Sequence, residues 1–141
     1  MDINWHTEVL QASERNSETQ ELRFLTLVEQ ARTNLNYKTL KTLLKTYNSK
    51  PDYGTQERVE SILAEADSEL LARVILEEMP RLISEAPEWA EVLLGQEIEH
   101  RSSIIQQTLQ SMPEEIKNAV KSITERDDFN SFYTGATKLN V

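Results

Sequence analysis

Apolar residues recur at steps of three and four along almost the whole chain, and very little punctuates them. The 141 residues include three glycines (Gly54, Gly95, Gly135) and four prolines (Pro51, Pro80, Pro87, Pro113). That is too few for the many tight turns of an all-β fold. Apolar steps near 3.6 are what a helix needs to bury one face. The expectation is an all-α fold of roughly six or seven helices joined by short loops into antiparallel helical hairpins. The length fits one helical domain with a real core. It would span 1–141, with N-terminal helices over 1–35, core hairpins over 36–126 and a docked or frayed tail over 127–141. The middle reads as two tandem helix pairs, which suits a short α-solenoid of the HEAT or armadillo kind. No residue-by-residue repeat fixes a register, so an irregular helical bundle is the alternative.

Local signals set the expected elements. A first helix over Ile3–Ala12 carries Trp5, Val9 and Leu10. Ser17-Glu18-Thr19-Gln20 has the form of a capping box, with Ser17 and Gln20 satisfying each other's backbone donors. The helix it opens places Phe24, Val28, Ala31 and Leu35 on one face. Tyr37, Leu40, Leu44 and Tyr47 line the next, with Lys38, Lys41 and Lys45 about 100° around it. Both tyrosines read as core-edge residues. The stretch 48–54 is a loop, after which Thr55 is expected to cap a helix bearing Val59, Ile62, Leu63 and Ala66. Leu70 to Met79 continue the stripe, and Pro80 predicts a kink or short break. Pro87 at the first helical position starts another helix, with Glu88 near its positive end. There Trp89, Val92, Leu93 and Gln96 form the expected inner face, extending toward Ile104, Ile105 and Leu109. A last helix buries Ile116, Val120 and Ile123. Phe129, Phe132 and Tyr133 dock one final turn, and the chain beyond Gly135 reads as frayed.

The chain carries little catalytic equipment. Cysteine is absent, which removes disulfides, zinc–thiolate sites and thiol nucleophiles, and fits a reducing compartment. Neither a basic leader nor an apolar stretch opens the sequence, and no apolar run is long enough to span a bilayer, so a cytoplasmic location is expected. The isolated glycines make no phosphate-binding loop, and no serine lies in a Gly-x-Ser-x-Gly context. Glu97 and His100 are half of a di-metal motif that has no second copy here. His6 and Glu8, two apart, face different directions. His6 and His100 therefore read as exposed histidines near glutamates. The expectation is a non-enzymatic protein with no cofactor and no metal.

Charge points instead to a partner. Residues 51–100 contain thirteen Asp/Glu against three arginines, so this third of the chain accounts for the whole net charge of −9. Such a field repels nucleic acid and anionic membranes and attracts basic proteins. Part of it is ordinary helix-surface pairing: Glu69–Arg73–Glu77, Glu77–Arg81 and Glu97–Arg101 all stand four apart. The lysine stripe reads as a solvated face.

The central segment carries a family resemblance. Leu43-Leu44-Lys45-Thr46-Tyr47, Asp52-Tyr53, Glu57-Arg58-Val59-Glu60-Ser61-Ile62-Leu63 and Met79-Pro80-Arg81-Leu82-Ile83 lead to the densest stretch, Ala86-Pro87-Glu88-Trp89-Ala90-Glu91-Val92-Leu93-Leu94. Over residues 40–100 the chain resembles the all-helical immunity family thirty of bacterial polymorphic toxin systems. The family's usual Arg-Ile-Leu-Asn continuation is replaced by Gly95-Gln96-Glu97-Ile98-Glu99-His100. The resemblance implies an antitoxin that binds and neutralises the C-terminal domain of a cognate toxin delivered in contact-dependent growth inhibition. Such toxins are often basic nucleases, and occlusion by an acidic surface would need no turnover. A HEAT-like adaptor or scaffold for another host protein is the alternative. On the antitoxin reading the contact residues expected are the exposed acids Asp52, Glu57, Glu60, Asp67, Glu69, Glu78 and Glu85, with Tyr53 as aromatic anchor. No direct nucleic-acid or membrane contact is expected, and a monomer is the favoured state.

Overall fold

In the computed structural model, which describes residues 1–139, every regular element among those residues is helical. The chain divides into two compact units, 1–66 and 67–141.

The first unit holds α1 (Ile3–Ala12), α2 (Glu18–Gln30, extended by a 3-10 turn over Ala31–Thr33), α3 (Tyr37–Lys45) and α4 (Thr55–Leu63). Helices α1 and α4 each pack on both α2 and α3. Trp5, Val9, Phe24, Leu27, Val28, Leu40, Leu43, Leu44, Val59 and Ile62 are buried. The indole N–H of Trp5 donates to the Leu27 carbonyl at 2.9 Å, so the largest ring of α1 enters the core with its one polar group satisfied. The helix starts are individually capped. Asp2, Ser17 and Asn36 accept from the backbone N–H groups of Trp5, Gln20 and Thr39. Ser17 therefore caps as the sequence suggests, but Gln20 reaches back to the N–H of Asn16 instead of Ser17. Leu35 falls beyond α2 and is only half-buried.

The second unit holds α5 (Ser68–Glu85), α6 (Pro87–His100), α7 (Ser102–Gln110), α8 (Glu114–Thr124), α9 (Asp127–Phe132) and a 3-10 turn over Thr134–Lys138. Helix α5 lies against α6, α7 and α8 together. A regular solenoid stacks each hairpin only on its neighbours, so this unit has the pattern of an irregular bundle gathered around α5.

Three local expectations are corrected here. Of the two outcomes expected at Pro80, the break does not occur, because helix α5 is continuous through it: Leu71, Val74, Ile75, Met79 and Leu82 are buried on both sides of the proline, and that packing holds the turn despite the missing N–H. The inner stripe of α6 is Ala90, Leu93, Leu94 and Ile98, while Trp89, Val92 and Gln96 are half-exposed, one residue off the expected face. A single non-helical residue, Arg101 (φ −142°, ψ 45°), separates α6 from α7.

The C-terminal segment is ordered further than its composition suggests. Phe129, Tyr133 and Ala136 are buried, and the chain continues as a 3-10 turn past Gly135. Tyr133 lies flat on α6 at Gly95, where a Cβ would come within 2.2 Å of the ring. Only a glycine lets the two approach so closely. Fraying was expected from Gly135 onward; residues 134–138 form that 3-10 turn instead, and Asn140 and Val141 lie outside the described residues. Among the described residues no helix is long and apolar enough to cross a membrane.

Candidate protein-binding site

The loop between α3 and α4 brings four of the eight expected contact residues together. Its foundation is Arg15, a non-glycine residue with a left-handed backbone (φ 48°) between α1 and α2. Such a conformation costs an ordinary residue about 1 kcal/mol or more and persists only where the surroundings hold it. Here they do. The Arg15 side chain is 4% exposed. Its guanidinium donates to the Asn48 side-chain oxygen at 2.7 Å and to the Pro51 carbonyl at 3.3 Å, and it lies 3.6 Å from the Asp52 carboxylate. Asn48 in turn donates to the Ser13 carbonyl, and the Lys50 ammonium reaches the Glu14 carbonyl and the Asn16 side chain. Two turns distant in sequence are thus stitched into one polar clasp.

Asp52 completes the clasp from the other side. Its two oxygens accept the N–H groups of Thr55 (2.7 Å) and Gln56 (2.9 Å), the free donors at the start of α4. Burial alone would raise its pKa. The hydrogen bonds from Gln56 and Thr55, with the Arg15 charge, outweigh that and leave it below the ordinary value of 3.8. Thr55 is therefore not the cap of α4; the residue before the helix is Gly54 at φ 98°, which no side chain would adopt without strain. The Thr55 hydroxyl instead donates to Glu21 at 2.6 Å, and the Gln56 side chain accepts from the Asn48 N–H at 2.8 Å.

Between these tied residues stands Tyr53, 96% exposed. Glu57 is exposed on the first turn of α4, and Glu60 is half-buried one turn on. Burial and then repulsion from Glu57 raise the pKa of Glu60 above 4.5. The three carboxylates of Asp52, Glu57 and Glu60 all act on one buried group, Tyr47. Its hydroxyl is pushed well above 10, by burial first and then by Glu60, Glu57 and Asp52. Tyr47 is fully buried, not at the core edge, while Tyr37 is 38% exposed beside Lys41.

The other four expected contacts lie in the second unit, where Asp67, Glu69 and Glu85 are exposed and Glu78 is buried. Asp67 caps α5 by accepting the Leu70 N–H at 2.9 Å, and Glu69 is exposed in the first turn of that helix. Glu85 pairs with Arg81 at 2.8 Å. Glu78 is buried on the packed face of α5 and offers no open carboxylate. Of fourteen acids in the second unit, six occupy the first turns of α5, α6, α8 and α9, where the helix dipole favours them; only Glu69 and Glu88 of these fall within the acidic stretch 51–100, so this placement leaves most of its charge unexplained.

Both histidines read from the sequence as exposed; only His100 is. His6 is buried against α3, its Nδ1 2.6 Å from the Thr42 hydroxyl and its Nε2 without a hydrogen-bond partner. Burial, then Lys38 and the N-terminal ammonium, lower its pKa below 6.5. Glu97 is 1% exposed and bound to Arg101 through one oxygen. Burial raises its pKa against the opposing pull of Arg101. Among the described residues no group of three His, Asp or Glu side chains gathers in a way that would hold a metal ion. No known protein family, curated protein or solved structure matches this chain.

Proposed function

We propose that this chain is a protein-binding module, an adaptor or scaffold, that engages a partner through the Tyr53 loop. The observation that carries the reading is an almost fully exposed tyrosine on a loop fastened by Arg15, Asn48, Asp52 and Gln56. An exposed aromatic ring is costly to leave in water, and interface hot spots are enriched in tyrosine. Holding the loop before binding removes the ordering entropy that a floppy segment would lose in the complex. Glu57 and Glu60 beside it favour a partner with basic residues and speed its approach.

A more specific form of this reading is supported by the resemblance to immunity family thirty. Within its sharpest stretch, Ala86 to Leu94, packing buries Ala86, Ala90, Leu93 and Leu94, while Pro87 and Glu88 are exposed and Trp89, Glu91 and Val92 half-buried. On that reading the partner is a basic toxin domain. Carboxylates would take the place of substrate phosphates opposite its Lys and Arg side chains, blocking it without turnover.

The test is retrieval of the partner by the tagged full-length chain, followed by calorimetry with the purified pair. Tyr53→Ala is expected to weaken binding by about tenfold or more, the loss of one aromatic hot spot. Glu57→Lys should slow association more than it speeds dissociation. Full affinity in both variants would reject the site. A partner that proves to be the C-terminal domain encoded directly upstream, with its toxicity abolished, would select the immunity form; any other partner would select the adaptor.

A further inference from the structure

The second unit carries an apolar groove that the Tyr53 loop does not explain. Helix α9 and the residue that ends it present three aromatic side chains within five positions. Phe129 and Tyr133 are buried, whereas Phe132 is 76% exposed and makes an edge contact with the Tyr133 ring, centroids 4.7 Å apart. Phe129, Tyr133, Phe132 and the half-exposed Val92 of α6 line a groove of about 300 Å³, rimmed by Glu91 and Asp128. The groove and the solvated Phe132 leave apolar surface open beside a charged rim.

The rim defines the chemistry of the occupant. Arg126 bridges Glu91 and Asp128, at 3.0 Å from the latter. Two carboxylates thus share one guanidinium, and the rim keeps a net negative charge. Glu88, one turn before Val92 on α6, and Asp127, beside Asp128, add to it; both are exposed. The Arg126 hydrogen bond holds Asp128 below its ordinary pKa of 3.8, so this carboxylate stays ionised across the physiological range.

We propose that the groove between α6 and α9 docks a basic amphipathic segment of a partner protein. One aromatic or leucine side chain of that segment fills the space between Val92 and Phe132, and flanking Lys or Arg side chains meet Glu91, Asp128 and their neighbours. The arrangement follows the usual anatomy of a small docking groove, an apolar centre within a charged rim that sets polarity and register. It is independent of the Tyr53 loop and stands or falls separately.

The test uses the ¹⁵N-labelled full-length chain titrated with two synthetic helical peptides of identical apolar spacing. One has Lys/Arg flanking a Leu/Phe pair, and the other has Glu at those positions. The basic peptide is expected to shift the amide signals of Glu91, Val92, Asp128 and Phe132 saturably, while those of Tyr53 and Glu57 stay in place. Phe132→Ser should weaken this binding about tenfold or more, and Asp128→Asn should weaken it less and flatten its salt dependence. Because Phe132 is exposed, the serine variant is expected to keep the wild-type circular dichroism. Absence of saturable shifts with the basic peptide, or equal response to the acidic one, would overturn the proposal. So would concentration-dependent self-association of the wild type that Phe132→Ser abolishes, since the groove would then belong to a second copy of this chain.

Discussion

Replacing Gly95 by alanine should destabilise the second unit, against the usual direction of such a change. In the interior of α6 the substitution gains helix propensity, about 1 kcal/mol. The Tyr133 ring opposes that gain. A methyl at position 95 would lie 2.2–2.5 Å from three ring carbons, where contact distance is about 3.5–4.0 Å. The ring must therefore retreat by more than an ångström. Tyr133 is 8% exposed and packs on Phe129 and Phe132, with centroids 4.9 and 4.7 Å away. Its retreat either strains this cluster or returns part of the ring to water. Overpacking of this kind costs about 1–3 kcal/mol, and losing much of an aromatic side chain's burial costs a similar amount. A ring forced to move this far places the cost in the upper part of that range, about 2–3 kcal/mol, so the net expectation is a loss of about 1–2 kcal/mol, read as a lower urea midpoint with unchanged slope. A double-mutant cycle gives the sharper readout. With Tyr133→Ala already present, Gly95→Ala should become stabilising by about 1 kcal/mol, so the two positions couple by about 2 kcal/mol or more. A neutral or stabilising Gly95→Ala in the otherwise native chain would refute the packing argument.

Other expectations concern the clasp, the buried histidine and the proline. Asp52→Ala removes the acceptor for two N–H groups and leaves the Arg15 guanidinium short of its counter-charge; a loss of about 1–3 kcal/mol is expected in urea unfolding. Tyr53→Ala, by contrast, should change stability by less than about 0.5 kcal/mol, so the same melt separates a fastening residue from a presented one. The fold lowers the pKa of His6, so its neutral form is the one preferred in the folded state. Its contribution is fully present above the unfolded value of 6.5 and is lost as pH falls through the folded value. His6→Gln should therefore flatten the loss of stability as pH falls below about 6.5, and parallel curves for the two proteins would contradict this. Pro80→Ala restores a backbone donor inside α5 and should raise stability by about 1–3 kcal/mol in thermal melts.

Much of the helical framework was legible because it rests on local spacing. Val9 in α1, Leu40 and Leu44 in α3, and Ile116, Val120 and Ile123 in α8 sit on the buried faces that their steps of three and four imply. Where the reading slipped, tertiary contacts overrode the local signal. Trp89 drew the expected stripe of α6 toward itself because aromatic weight looks like core. The buried face is instead set by Leu93, Leu94 and Ile98 against α5 and α7, one position around the helix. Pro80 was expected to kink or break α5, and long-range packing keeps that helix continuous. The close approach of Tyr133 to Gly95 joins residues far apart in sequence, and no spacing rule reveals it.

The candidate site was partly legible. Tyr53 stands out because turn residues flank it. The role of Asp52 was also available, since Asp52-Tyr53-Gly54-Thr55 places an Asx-type acceptor just ahead of a helix start. Charge counting hid it by treating every carboxylate alike. The same counting placed Glu78 on the surface, although its neighbours Val74, Ile75 and Met79 share its buried side of α5. Arg15, on which the clasp depends, carried no sequence signal at all. Its left-handed backbone and its partners at 48, 51 and 52 exist only in the folded chain.

The claim that the Tyr53 loop is the contact surface is tested most directly by photo-crosslinking in the native cell. A benzophenone side chain placed at position 53 of the full-length chain is expected to yield one discrete covalent adduct with another protein. Glu57→Lys should diminish that adduct, and the same label at the exposed Ser122 should give none. A label at 53 that reacts only with water or small molecules, or that gives the same adducts as the label at 122, would contradict it.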